Sequence, residues 1–223
     1  MVRKIEFSGE IYDIELSEEL LEENRKIAEE NKKKFQEYGV RVIEVRGSIG
    51  SGKTSLIESL VEVLSDKYEI GVMAGDVTTT IDAERLEKKG AKVVQINTGG
   101  ECHLDANLVR KAINVLDPRK LDLIFIENVG NLICPADFPL GSQQIIVVVS
   151  VTEGPYTIVK HPMILEDADL LFINKIDLAE AMDVDPSSIE RDALRINPKL
   201  KVVKGSLKEG MGVQEVLKSL NLT

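Results

Sequence analysis

A mostly parallel α/β sheet of about seven strands, flanked by helices and preceded by an N-terminal helix, is the fold the sequence predicts. Three observations carry that prediction. Short β-branched runs alternate with helical stretches at a regular pace from Val40 onward. One run, Ile145-Ile146-Val147-Val148-Val149, is apolar without interruption, and a glycine-rich turn separates the first run from a helical stretch. Alternation of that spacing marks right-handed βαβ units. An unbroken apolar strand is one buried on both faces, as in a parallel sheet covered by helices. The 223 residues suffice for one such domain, and 43% hydrophobic residues exclude intrinsic disorder.

In chain order, residues 1–39 read as an N-terminal extension and 40–223 as the main domain with its inserted loops. Ser17 is expected to cap a helix reaching Tyr38. Glu18 and Glu19 suit its positive end, Lys32 to Lys34 its negative end, and Gly39 a left-handed stop. Its apolar series is Leu20, Leu21, Ile27 and Phe35, and its plain reading is a solvated helix on the edge of the domain. Strands are predicted over 40–45, 69–74, 92–96, 121–126, 144–151, 170–173 and 201–203. Helices are predicted over 55–64, 82–88, 105–116, 189–195 and 213–220.

Charge and composition narrow the function. A net charge of -10 argues against a polyanion-binding surface, so no nucleic-acid partner is expected. No apolar run is long enough for a membrane span, no apolar leader opens the chain, and only two cysteines occur. A cytoplasmic protein without disulfides or membrane contact is the expectation.

The first strand runs into Gly47-Ser48-Ile49-Gly50-Ser51-Gly52-Lys53-Thr54, followed by Ser55, which fits the phosphate-loop pattern GxxxxGK[ST]. Glycines 47, 50 and 52 let backbone N–H groups converge on phosphate oxygens. Lys53 supplies a charge near the β- and γ-phosphates, and Thr54 a hydroxyl for Mg²⁺. Asn174-Lys175-Ile176-Asp177 ends a later strand, where the ligand crevice of an open α/β sheet lies. The Asp177 carboxylate can accept from guanine N1–H and the 2-amino group, donors that adenine lacks, so GTP is favoured over ATP. Asn174 would brace the loop and the stem of Lys175 cover the base, while Ser206, Leu207 and Lys208 close its other side. Asp76 and Glu127, both at strand ends, are candidates to hold Mg²⁺ or orient the attacking water, with the two roles unassigned. No Gln follows Glu127-Asn128-Val129-Gly130, which predicts slow hydrolysis.

Histidine occurs only twice, yet His103 adjoins Cys102, and Cys134 follows Glu127 in a second loop at the ligand end of the sheet. Two thiolates and an imidazole suit Zn²⁺ or Ni²⁺ but leave a four-coordinate site incomplete, so a two-fold partner could finish it. The plainer alternative is that both cysteines are small buried hydrophobes.

Together GSIGSGKTS, GDVTTTIDAERL, TGGECHLDA, ENVGNLICP and NKID, in that order, resemble the HypB family of hydrogenase nickel-incorporation GTPases from about Val40 to the C-terminus. The resemblance implies a nucleotide-dependent homodimer of the SIMIBI class and a metal site at the subunit interface. It also implies nickel delivery to nickel–iron hydrogenase, with a HypA-like nickel-loading protein and the hydrogenase large subunit as partners. The N-terminal cysteine motif or His-rich tract of some members does not precede Gly39, which argues against nickel storage. The related urease accessory GTPase UreG shows Cys-Pro-His where this chain has Cys102-His103 and a separate Cys134-Pro135, so urease service ranks second. Lys160 is expected to be solvated. Rival readings are a regulatory GTP switch with a protein cargo and structural cysteines, and a metal-buffering module with vestigial hydrolysis.

Overall fold

The computed structural model describes residues 10–75, 81–99 and 101–222, the side chains of 10–17 and 81–82 excepted. Helix α1 (Glu10–Glu37) leads into β1 (Arg41–Gly47), α2 (Lys53–Leu64), β2 (Ile70–Ala74), α3 (Ile81–Lys88), β3 (Lys92–Gln95) and α4 (Ala106–Leu116). Then follow β4 (Leu123–Glu127), the short α5 (Cys134–Asp137), β5 (Gln144–Ser150), the short α6 (Thr157–Lys160), β6 (Leu170–Asn174), α7 (Pro186–Ile196), β7 (Lys201–Lys204) and α8 (Val213–Leu220).

The seven strands form one sheet in the order β3-β2-β4-β1-β5-β6-β7, every pairing parallel. Alternate residues of each strand serve opposite faces. In β5, Ile146 and Val148 join the cluster that α2 and α8 cover, whereas Val147 and Val149 join the one under α7. That double burial is why the strand reads as a continuous apolar run. Toward the other edge, Val42, Ile124 and Ile126 pack with Val109 and Ile113 of α4 and Phe35 of α1.

Two expectations for α1 are corrected. The helix already runs from Glu10, so Ser17 lies inside it and does not cap it. Of its apolar series only Phe35 is fully buried: Leu20 is 57% exposed, Leu21 and Ile27 are half-buried, and the stripe that packs is Asn24, Ala28, Asn31 and Phe35. Two polar residues on that stripe hide its helical period from a hydrophobicity pattern. Gly39 does turn left-handed, at φ 68°. Helix α7 begins three residues earlier than expected because Asp185 caps it, accepting from Ser187 N.

One face of β1 carries charge into the interior. Glu44 and Arg46, two apart and therefore on the same side, are both fully buried and paired at 2.6 Å. Arg46 also reaches Asp167 at 2.9 Å. Glu44 accepts from Asn128 Nδ2 at 2.9 Å and from Ser142 Oγ at 3.1 Å.

Candidate functional site

The order of the sheet decides which strand ends meet. In register, Val45 of β1 faces Glu127 of β4, and Ala74 of β2 faces Glu127 from the other side. The loop after β1 and the carboxylate ending β4 are thereby neighbours at the carboxyl edge, where open α/β sheets bind ligands. Gly52, φ 109°, is the N-cap of α2 and no side chain caps the helix, so its first N–H groups are available to an anion. Lys53 is buried and donates from Nζ to Ser48 O at 3.1 Å. Thr54 Oγ1 donates to Glu127 Oε1 at 2.6 Å. Hydroxyl and carboxylate together are the hard oxygen donors that Mg²⁺ takes. Asp76, the other candidate, lies outside the described residues.

A crevice of about 720 Å³ runs from this point to the end of β6. Asn174, Lys175, Asp177, Ser206, Leu207 and Lys208 all line it, as do Gly50, Gly52, Thr54 and Ser55. Gly47, Ser48 and Ser51 stand outside that lining, with Ser48 O and Ser51 O accepting from Lys53 Nζ and Asn174 Nδ2. Asn174 is the brace between the two ends: Nδ2 donates to Ser51 O at 2.8 Å, and Oδ1 accepts from Lys175 N at 2.8 Å and Leu207 N at 3.2 Å. Lys175 sits at φ 60° and donates from Nζ to Gly50 O at 2.8 Å, so its stem spans the mouth of the crevice. The Ser206 hydroxyl is buried and has no hydrogen-bond partner among the described residues.

Four lining residues escaped the sequence reading: Glu58, Ser59, Arg85 and Leu178. Arg85 of α3 lines the crevice, paired with Glu58 at 2.7 Å; it lies within GDVTTTIDAERL, the motif already noted. Glu153 accepts from Ser150 N at 2.8 Å. Burial pushes its carboxyl above the usual range, against the pull of Ser48, the Ser150 N–H, Lys175 and Lys53.

The second cluster forms where the loops after β3 and β4 meet. Cys102 Sγ lies 2.9 Å from Cys134 Sγ and 3.7 Å from His103 Nδ1. The three ligand atoms all fall within 4.8 Å of one another. The shared thiol hydrogen bond, then burial, push the Cys102 thiol up, and burial pulls His103 down, which favours the neutral imidazole that metals bind. Zn–S bonds of ~2.3 Å put two sulfurs ~3.8 Å apart in a tetrahedron and ~3.3 Å apart in adjacent square-planar positions. The donor set therefore fits a soft or borderline metal after the sulfur pair opens slightly. His103 stacks on Phe138, ring centroids 3.7 Å apart.

Hydrogen bonds join the two clusters. Asn131 donates its backbone N–H to Gly47 O at 3.1 Å and its carboxamide to Cys102 O at 3.2 Å. Asn128, next to Glu127, accepts at Oδ1 from Leu104 N, one residue beyond His103, at 3.2 Å.

An all-parallel sheet of this order, with a GSIGSGKT loop wrapping the start of the helix after β1, defines a P-loop NTPase. Residues 41–204 match the family described as CobW/HypB/UreG, nucleotide-binding domain. The chain belongs to the HypB family of hydrogenase maturation factors within it. The probable hydrogenase maturation factor HypB of Methanocaldococcus jannaschii is 53% identical over 204 residues, 92% of each chain. Hydrogenase maturation factor HypB from Archaeoglobus fulgidus superposes with a TM-score of 0.85 at 44% identity, over 89% of this chain and 97% of that one. HypB from Helicobacter pylori, crystallised in complex with nickel, superposes with a TM-score of 0.84 at 33% identity, over 89% and 94% of the two chains. The 204 aligned residues exceed the stretch from Val40 to the C-terminus, so the likeness reaches into α1, further than the motifs indicated. Among the described residues no helix is long and apolar enough to cross a membrane.

Proposed function

We propose that this chain is a slow GTPase whose nucleotide state governs nickel held by Cys102, His103 and Cys134, and which delivers that nickel during hydrogenase maturation. The observation that carries the reading is Asn131. A single residue hydrogen-bonded to both the phosphate loop at Gly47 and the metal loop at Cys102 makes motion at one site motion at the other.

In this reading the N–H groups opening α2 and the Lys53 ammonium offset the charge that grows on the phosphate oxygens as water displaces GDP from the γ-phosphorus. Thr54 and Glu127 would hold Mg²⁺, which supplies further charge neutralisation when bound. Asp177 selects guanine, with Asn174 and Lys175 holding the base loop and Ser206, Leu207 and Lys208 closing it. A shift of Glu127 toward the phosphates carries Asn128 with it and changes its hold on Leu104, hence the spacing of the ligands. Nickel, the cargo, would take the two sulfurs and the imidazole; Zn²⁺ suits the same donors. A second copy of the chain would complete its coordination. Exposed Ile133 and Met163, at 59% and 52%, line one groove beside Cys134 and offer such a copy an apolar face. Lys160 is exposed there too, beside Ile133 and Asp137.

The test pairs phosphate release with equilibrium dialysis. GTP is expected to turn over slowly, ATP to compete poorly, Lys53→Ala to abolish turnover, and Cys102→Ala to abolish nickel binding. Equal competition by ATP, or unchanged nickel binding in Cys102→Ala, overturns the reading.

A further inference from the structure

We infer that α1 is a positioning element of the metal cluster and that Asn24 is the residue through which it acts, its carboxamide tying the loop that bears Cys102 and His103 to the segment that follows Cys134. The inference rests on the proposal that this cluster holds nickel.

The buried stripe of α1 is built for two targets. Asn24 Oδ1 accepts from Ala106 N, the first N–H of α4, at 2.7 Å, while its Nδ2 donates to Pro139 O at 2.9 Å. Two turns along, Asn31 Nδ2 donates to Ala106 O at 2.8 Å and to Leu140 O at 3.2 Å. Between them Ala28 lies so close to Gly141 that a Cβ there would overlap the Ala28 carbonyl oxygen. Each asparagine thus bonds to both segments at once, and both backbone polar groups of Ala106 are held by α1.

Those two segments are the ones that carry the candidate ligands. Ala106 stands three residues after His103, with Asp105 between them capping α4 at Leu108 N, 2.7 Å away. Pro139 follows Phe138, the ring on which the His103 imidazole stacks, and Phe138 directly follows α5, whose first residue is Cys134. A cavity of about 610 Å³ between α1 and this loop is lined by Asn24, Ile27, His103, Asp105, Arg110 and Phe138, so the imidazole faces α1. Fixing Ala106 against Pro139 fixes His103 against Phe138 and limits how far Cys102 can stand from Cys134. A buried carboxamide with both ends engaged is costly to displace, since each freed backbone group loses its partner away from water. Partners bonded directly to metal ligands typically change affinity 10- to 100-fold when removed, and a contact that acts through the backbone belongs at the lower end.

Nickel affinity of GDP-loaded protein is measured by equilibrium dialysis with NiCl₂ for wild type, Asn24→Ala, Asn24→Asp and Val216→Ala. Asn24→Asp keeps the acceptor for Ala106 N and loses the donor to Pro139 O; it serves should the alanine variant not fold. Val216→Ala opens a buried site in α8, across the sheet, and controls for lost stability alone. The expected result is about tenfold weaker nickel binding in both Asn24 variants, with GDP affinity unchanged and Val216→Ala within twofold of wild type. A second readout needs no metal. The equilibrium of the Cys102–Cys134 thiol pair against reduced and oxidised glutathione should show an effective thiol concentration about tenfold lower in the Asn24 variants. Asn24 variants matching wild type in both readouts, or a Val216→Ala loss as large as theirs, overturn the positioning role alone. A wild-type protein that binds no nickel overturns the proposed function and this inference together.

Discussion

Alanine at Gly50 and at Gly52 should cost very different amounts, although both residues belong to the same phosphate loop. Each has a positive φ, 75° and 109°, and placing an L side chain in that region costs about 1–2 kcal/mol at either position. Nothing lies within 4 Å of a Cβ built on Gly50, whereas one on Gly52 overlaps Nδ2 of Asn174. Relieving the overlap pulls the carboxamide from Ser51 O at 2.8 Å and disturbs its bonds to Lys175 N and Leu207 N. With about 1–3 kcal/mol for each buried group left unpaired, Gly52→Ala should cost about 2–4 kcal/mol beyond Gly50→Ala. Urea unfolding of nucleotide-free protein reads the difference directly. The double variant Gly52→Ala/Asn174→Ala should lose less than the sum of its singles, because the same bonds cannot be lost twice. Equal midpoints for the two glycine variants, or strict additivity in the double, would refute the reasoning.

Three further outcomes follow from the same structure. Arg46→Met leaves Glu44 buried without its counter-charge and should cost about 3–5 kcal/mol, most of it recovered in Glu44→Gln/Arg46→Met; a urea double-mutant cycle with no recovery contradicts this. The folded pKa of Glu153 is raised, so the folded chain holds that proton more tightly than the unfolded one. Its stabilising contribution is complete below the ordinary carboxylate range and is lost as pH rises through the folded value. The stability of Glu153→Gln relative to wild type should therefore climb between pH 4 and pH 7, and parallel curves by urea unfolding would count against it. In the proposed guanine site Asp177→Asn replaces one of the two acceptor oxygens with an NH2 donor that opposes the guanine 2-amino group, so GTP affinity should fall about 100-fold. Xanthosine triphosphate, with a carbonyl in place of that amino group, should bind the variant better than GTP does, as competition against a fluorescent nucleotide would show.

The strands were legible because parallel βαβ packing writes itself in composition: Ile145 to Val149 has to be apolar on both faces. The phosphate-loop motif was legible because a backbone that converges on an anion requires glycine at set spacings, and Gly47, Gly50 and Gly52 all take positive φ. Proximity of Cys102, His103 and Cys134 could be suspected only from their rarity and from the loops they occupy. What the sequence concealed is buried polar structure. Glu44 and Arg46 look like the exposed face of a strand, yet neither is exposed at all, because they satisfy one another together with Asp167 and Asn128. Asn24 and Asn31 look like the solvated side of a helix, yet they bond to backbone 75 to 115 residues away. Pairing that distant leaves no local pattern. Ser17 misled for the converse reason: a plausible capping residue does not end a helix whose preceding residues also support the helical conformation.

The central claim is that nucleotide state and nickel are coupled through the Asn131 and Asn128 links. Linkage makes any such coupling reciprocal, and a metal indifferent to the two states shifts neither. The most direct measurement is the affinity and stoichiometry of Ni²⁺ per chain by equilibrium dialysis, in protein loaded with GDP and with a non-hydrolysable GTP analogue. The account predicts a clear difference, at least fivefold or about 1 kcal/mol, that shrinks in Asn131→Ala; equal affinity in the two states would contradict it.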